Sequence, residues 1–422
     1  MRQQWITNTS DIGFNNGRKV VLELAEAAFK AIDTEAIIKS AVVLDGKHLR
    51  IKNKKFKLSQ FERIIVIGFG KASGRAAQAL EEVLGDNISE GIGIGLTEMP
   101  GNFIKIYKGT HPKPSMQNIE VSQKIVEVAE TISEKDLVIV LVSGGGSSLL
   151  CWPLSECRQS ERLYDVFLKT GADIRELNLI RKHISQVKGG GLAKILYPAT
   201  VVSLIFSDVP GNDYSLIASG PTYKDSTTLE DAQKIIEKYE LGKFDLNETP
   251  KDDKFFKNVT NLPVVSNETA IAAIKERARE LGLKTKVLST QFYDEPATAA
   301  EILIKATEEA PVVIAGGEIH LVVTKKGGTG GRNMYLGMEM MSHIQSGLTF
   351  GGIASDGLDN SDSAGVILDY NTVLRAQKMR IDPIQYQNNY DGYGLFQKLG
   401  KELMYTGPTE ANVSDLYVVY RG

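Results

Sequence analysis

Cysteine is almost missing from this chain. Its 422 residues contain two, Cys151 and Cys157. That is too few for a disulfide framework or a four-cysteine zinc centre, and both are expected to stay reduced inside a cell. Long apolar runs are missing too. None reaches the length of a membrane span, and the opening MRQQWITNTSDIGF has no apolar signal-peptide core. A cytoplasmic setting with no membrane partner is therefore the expectation, and the glycosylation-like triplets NTS, NVT and NVS carry no weight without export. Charge of one sign is not in excess. Lys and Arg number 49 and Asp and Glu 52, a formal net charge of −3, which argues against a general nucleic-acid surface while leaving room for a local basic site. The Walker phosphate loop and the His-Arg-Asp kinase segment are also absent, so phosphoryl transfer would need another scaffold.

What the chain has in quantity is glycine, 40 residues, concentrated after apolar runs. LVIVLVSGGGSSLLCW, residues 137–152, shows the pattern. Leu137–Val142 has the length and the Val/Ile content of a buried strand. Ser143, Gly144, Gly145, Gly146 and Ser147 then offer bare backbone, and Ser147 or Ser148 can open a helix. Free amides at such a junction form a nest for an anion.

The overall pattern predicts an α/β protein. RIIVIGFGKASGRAAQALEEVL reads as strand, glycine turn and helix. Further strands are expected at 92–97, 104–108, 137–142, 201–206 and 263–266, with helices at 117–131, 159–170 and 228–239. This alternation calls for a mostly parallel sheet with helices on both faces. AVVLDGKHLRI reads as a hairpin turning at Asp45-Gly46, and residues 18–39 as helical. The polar stretch 241–263 is the boundary candidate, since 422 residues suit two or three domains. A second set of elements follows it: helices in ETAIAAIKERARELGL and in EPATAAEILIKATEEA, and strands in KTKVLST, PVVIAG, HLVVT, LTFGGIAS and DLYVVYRG.

Several segments carry chemistry. GFGKASG sets Gly68, Gly70 and Gly74 after a strand, one residue longer than the dinucleotide fingerprint. With Glu98 after the next strand, a dehydrogenase stays open here. Lys71 is the informative residue, a mobile cation beside a helix start, suited to phosphate or carboxylate. LNLIRKHISQVKGGGLAK groups Arg181, Lys182, His183 and Lys188 with a glycine run that includes Gly189 and Gly190, and His183 reads as a structural hydrogen-bonding residue. LIFSDVPGNDYSLIASGPT puts Asp208 at a strand's carboxyl end, where such sheets bind ligands. Asp208 is a candidate for Mg²⁺ or a substrate hydroxyl, with Asn212 and Asp213 as turn caps and Ser219 further along. KKGGTGGRNMYLGMEM places Arg332 at the head of a helix, a planar fork for carboxylate or phosphoryl. GGIASDGLDNSDSAG offers Asp356, Asp359 and Asp362 without a calcium-loop spacing. TGPTEANVSDL adds Thr406, Thr409, Asn412 and Asp415.

In this order, VIGFGKAS, GTHPKP, LVSGGGSSLL, IRKHISQVKGGGLA, SDVPGNDYSLIASGPT, GGTGGRNM, ASDGLDNSDSAG and TGPTEANVSDL resemble the class II glycerate kinases, the glycerate 2-kinases with a C-terminal MOFRL domain. The resemblance covers nearly the whole chain. It implies a Rossmann-like larger domain (45–262), a smaller α/β MOFRL-type domain (263–422) with a cleft between them, and an N-terminal helical segment (1–44) with the C-terminal domain as its candidate packing partner. It further implies transfer of the γ-phosphoryl of ATP to the 2-hydroxyl of D-glycerate, with Mg²⁺ required. The assembly is left between monomer and homodimer. Lys71 and Arg332 match the family's GKA lysine and GGR arginine. Asp208 and Asp356 match its SDV and TDG aspartates, as catalytic or Mg²⁺-binding groups. Ser143, Gly144, Gly145, Gly146, Ser147, Lys188, Gly189, Gly190 and Asn412 are the expected nucleotide contacts. The chain departs from the family at Ser148 (usually Ala), Tyr335 (Glu), Ser355 (Thr) and Asn360 (Gly), which leaves the Lys, Arg and Asp positions intact.

Overall fold

The most apolar stretches of the chain become the central strands of two six-stranded sheets. The structure is a computed structural model that describes residues 4–170, 174–209, 211 and 213–422, with the side chains of 166–170 and 174 outside that description. Asn212, expected as a turn cap, lies outside the described residues. The chain divides into two compact units, Thr34–Asp208 with Asn212–Val264, and Met1–Asp33 with Val209–Gly211 and Val265–Gly422.

The first of these units opens with a three-stranded antiparallel meander, β1 (Val42–Asp45), β2 (His48–Ile51) and β3 (Lys54–Lys57). Asp45 pairs with His48, so the turn residues are Gly46 and Lys47 rather than Asp45 and Gly46. Gly46 takes the positive φ of the first central turn position. The large sheet follows: β4 (Arg63–Phe69), β5 (Glu90–Gly95), β6 (Ile104–Lys108), β7 (Asp136–Ser143), β8 (Thr200–Phe206) and β9 (Val259–Val265). Their spatial order is β6-β5-β4-β7-β8-β9, and the pairings from β6 through β8 are all parallel. This is the doubly wound order, in which the chain reverses its direction of travel between β4 and β7. Every residue of β7 is buried, as a strand covered on both faces requires. Its one charge, Asp136, sits at the start, where Arg63 Nε and Nη2 donate to it at 3.0 and 2.8 Å. That fork ties the first residues of β4 and β7 in register.

The other unit has a mixed sheet of β10 (Thr285–Ser289), β11 (Val312–Gly317), β12 (Leu348–Ala354), β13 (Gly365–Asp369), β14 (Leu403–Met404) and β15 (Asp415–Arg421). The order is β10-β11-β15-β12-β13-β14, parallel only between β10 and β11. The last strand therefore lies inside the sheet. HLVVT, expected as a strand, is not one: Val322 and Val323 are 58% and 56% exposed, and the segment is held by Tyr390 instead of a neighbouring strand. The helical run expected over 18–39 is two helices, Asn16–Ala31 and Thr34–Ala41, and the unit boundary falls between them. Helix Asn16–Ala31 packs on helix Asn267–Glu280 and on β12 and β15. Its Arg18 is fully buried between Asp369 (3.1 Å) and Glu402 (3.3 Å).

Candidate functional site

The chain reverses its direction of travel between β4 and β7, and the carboxyl ends of such strands are where sheets of this type bind ligands. Two loops meet there. The Lys71 amide donates to Gly144 O at 2.8 Å, and the Ala72 amide to Ser143 Oγ at 3.0 Å. Ser143 thus spends its hydroxyl on locking the two loops together. Gly145 has φ +79°, and a β-carbon there would stand 3.1 Å from His111 Cδ2 and 3.2 Å from Lys71 Cγ. A side chain at Gly144 would collide with the Asp208 carboxylate, which arrives from the end of β8. Glycine is demanded at both positions because the side chains of Lys71, His111 and Asp208 approach the backbone itself.

The electrostatics follow from that crowding. Burial pushes the Asp208 carboxyl above its ordinary range, with the Lys71 charge pulling the other way. Loss of hydration and the charges of Lys71 and Arg181 push His111 down to about 4, so its imidazole is neutral at neutral pH. On the next side of the loop, Ser147 Oγ lies 2.9 Å from Ser219 Oγ, and Ser219 donates to Asn178 Oδ1 at 3.2 Å. A serine hydroxyl has one proton, so Ser147 is the donor of the first contact.

In the mixed-sheet unit, Arg332 begins helix Arg332–Met340 and is held by two carboxylates, Asp415 at 3.2 Å from Nε and Glu318 at 3.0 Å from Nη2. Although burial opposes its charge, those two neighbours raise its affinity for the proton, and the side chain stays 41% exposed. Asn333 bridges Asp359 (3.3 Å) and Asp415 (2.9 Å), and Asp359 also accepts from the amides of Asn333 and Met334 at the helix start. Burial, then their mutual repulsion, lifts Asp359 to about 7. Burial also lifts Asp415 to about 6 against the pull of Arg332. Asp356 accepts from Leu358 N at 3.1 Å in the turn after β12. Asn412 Oδ1 accepts from Ser355 Oγ (3.4 Å) and Ser414 N (3.0 Å), which fastens the loop before β15 to that turn.

Three expected nucleotide contacts are turned inward. Lys188 is buried against Glu156, with its Nζ also 2.7 Å from Leu150 O. The amides of Gly189 and Gly190 go to Ser219 O and Gly220 O at 2.9 and 2.8 Å. A cation inside the core needs a counter-charge and buried amides need acceptors, so this segment braces the site instead of lining it. Lys182 is likewise paired, with Asp225 at 3.0 Å. His183 is structural, its two ring nitrogens taken by Asn247 O and Thr227 Oγ1. The residues that sequence reasoning left without a role are His111 and Asn178. The signal for His111 was the GTHPKP segment. Asn178 becomes visible only once helix Ile174–His183 sets it one turn before Arg181.

The strand order defines the first unit as a Rossmann-like domain. Comparison with known proteins narrows this. Residues 20–248 match a domain described as a domain of unknown function, DUF4147, and residues 311–415 match the MOFRL family. The chain is 33% identical to the D-glycerate 2-kinase of Thermotoga maritima over 95% of its own length and 97% of that protein's. It is 31% identical to the glycerate 2-kinase of Pyrococcus horikoshii, over 95% and 96%. A relative in Agrobacterium vitis, 34% identical over 85% of this chain and 87% of its own, carries a hydroxypyruvate reductase name. The crystal structure of Thermotoga maritima glycerate kinase matches with a TM-score of 0.84 at 32% identity, covering 96% of this chain and 99% of that one. The chain belongs to the class II glycerate kinase family with a C-terminal MOFRL domain and is a kinase.

Proposed function

We propose that this enzyme transfers the γ-phosphoryl of ATP to the 2-hydroxyl of D-glycerate, giving 2-phospho-D-glycerate and ADP. The observation that carries this reading is the meeting of Lys71, Asp208 and the Ser143–Ser147 loop at the switch point of a parallel sheet. Family membership supports the choice of substrate, through the glycerate kinases it resembles over nearly its full length.

Phosphoryl transfer asks the protein for positioning and charge neutralisation. Lys71 neutralises the moving phosphoryl group, and the loop amides of Gly145–Ser147 bind phosphate oxygens. Asp208, with its raised proton affinity, takes the proton of the attacking hydroxyl. Arg332, aligned by Asp415 and Glu318, offers its other N–H groups as donors suited to a carboxylate or phosphoryl oxygen. Among the described residues no group of three or more His, Cys, Asp or Glu side chains gathers as a metal site. Mg²⁺ is ordinarily bound by one or two carboxylates plus substrate phosphates; Asp356, a hard oxygen donor after β12, is the carboxylate we assign to it, which leaves the proton to Asp208. Bound there, Mg²⁺ would offset phosphate charge.

The test is one incubation with ATP, Mg²⁺ and D-glycerate, products resolved by ³¹P and ¹H NMR. Glycerate-dependent ADP with 2-phosphoglycerate is expected. The 3-phospho isomer would overturn the regiochemistry. NAD(P)H-dependent reduction of hydroxypyruvate without ATP would instead favour the reductase name carried by the Agrobacterium relative.

A further inference from the structure

Four basic side chains cluster in sequence between positions 181 and 188, and the fold disposes of three. Lys182 pairs with Asp225, Lys188 with Glu156, and His183 is hydrogen-bonded through both nitrogens. Arg181 is the exception. It is half-buried near the end of helix Ile174–His183, and its hydrogen bond among the described residues is a long one, Nη1 to Asn178 Oδ1 at 3.4 Å. The nearby carboxylate, Glu156, is already engaged by Lys188 and by Trp152 N. Burial accordingly pulls the guanidinium down to about 10.

Arg181 is also joined to the site. Asn178 continues through Ser219 to Ser147 in the glycine loop, and its charge, with that of Lys71, is felt at His111 beside Gly145. Lys71, a neutral His111 and Asp208 thus stand at the glycine loop, and Arg181 is linked to its Ser147 side through Asn178 and Ser219. A half-buried guanidinium with no ion pair among the described residues is better satisfied once an anion arrives. A planar fork suits carboxylate and phosphate alike, and the neighbouring glycine-loop amides favour the phosphate.

We propose that Arg181 is a phosphoryl-binding residue: together with Lys71 and His111 it seats a doubly charged phosphate group at the Ser147 side of the glycine loop. The seat takes the group that is transferred, whether it arrives on ATP or leaves on the product, and not the acceptor's carboxylate. This rests on the phosphotransferase reading for its meaning but not for its test.

The probe is inorganic phosphate, titrated calorimetrically into the full-length wild type and into Arg181→Met and Arg181→Lys, with D-glycerate titrated in parallel. Phosphate affinity is expected to fall at least about 10-fold in Arg181→Met. It should recover in part in Arg181→Lys, which keeps charge and loses the fork. Steady-state rates should show kcat reduced in both variants, with KM for glycerate moving less than about 3-fold. Unchanged phosphate affinity in a folded Arg181→Met or Arg181→Lys protein would overturn the proposal. So would a loss confined to glycerate binding, which would make Arg181 a carboxylate ligand. If the wild type turns over no glycerate, the kinase reading fails while the phosphate titrations still judge Arg181.

Discussion

Arginines of the two units sit in different surroundings. In the mixed-sheet unit each central arginine is matched: Arg18 lies between Asp369 and Glu402, and Arg332 between Asp415 and Glu318. In the parallel-sheet unit Arg63, Lys182 and Lys188 are matched too, whereas Arg181, whose charge is felt at the neutral His111, has no ion pair among the described residues. Matched cations hold structure together or are aimed by their partners. An unmatched one stores an unmet demand for an anion, which a ligand can satisfy. The contrast separates where the protein is stabilised from where it is poised to bind.

The largest test of that contrast is Arg18→Met. It strands two buried carboxylates and should cost about 3–5 kcal/mol of stability, read by chemical denaturation, with kcat unchanged in the protein that remains folded. Equal stability would mean that matching is not what Arg18 is for. Next comes Lys71→Ala, expected to fold and to lose about 10³-fold in kcat, roughly 4 kcal/mol of transition-state stabilisation. Glycerate-dependent ADP release at the wild-type rate would remove Lys71 from the chemistry. Arg332→Lys follows, at about 10²-fold in kcat/KM, because a point charge cannot serve Asp415, Glu318 and a ligand at once. A variant with native-like kcat/KM would show that the fork is not used.

The smallest effect is in pH dependence, where Asp359 and Asp415 have one sign and His111 the other. Asp359 and Asp415 have raised affinities for protons in the folded state, about 7 and 6. Their contribution is present in acid and is lost as pH rises through those values. His111, lowered to about 4, is disfavoured as a cation when folded, so its contribution is present above about 6.5 and is lost as pH falls towards 4. Asp359→Asn should flatten the loss of stability between about pH 4 and 7. His111→Asn should flatten the opposite slope between about pH 6.5 and 4, more weakly because that ring is exposed to solvent screening. Unaltered slopes in urea titrations across pH would break the comparison at its electrostatic root.

Much of the architecture was legible in the order of residues. The run Leu137–Val142 could only be a strand buried on both faces, and the alternation around it required a parallel sheet. Glycine after several strands marked the candidate ligand-facing ends. HLVVT misled because β-branched residues have strand propensity whether or not a neighbouring strand is available to pair with them. Lys188 misled for a related reason: a lysine beside three glycines reads as a phosphate contact, and only the fold reveals Glu156 waiting inside.

The sequence by itself determined the elements, the strand ends that carry chemistry and the family, because periodicity and local motif order are properties of the chain alone. Only the tertiary structure decided which of several neighbouring cations are spent on carboxylates and which are left facing the glycine loop. Charge pairing depends on distances between residues far apart in sequence, as from Arg18 to Glu402, and no local pattern encodes those.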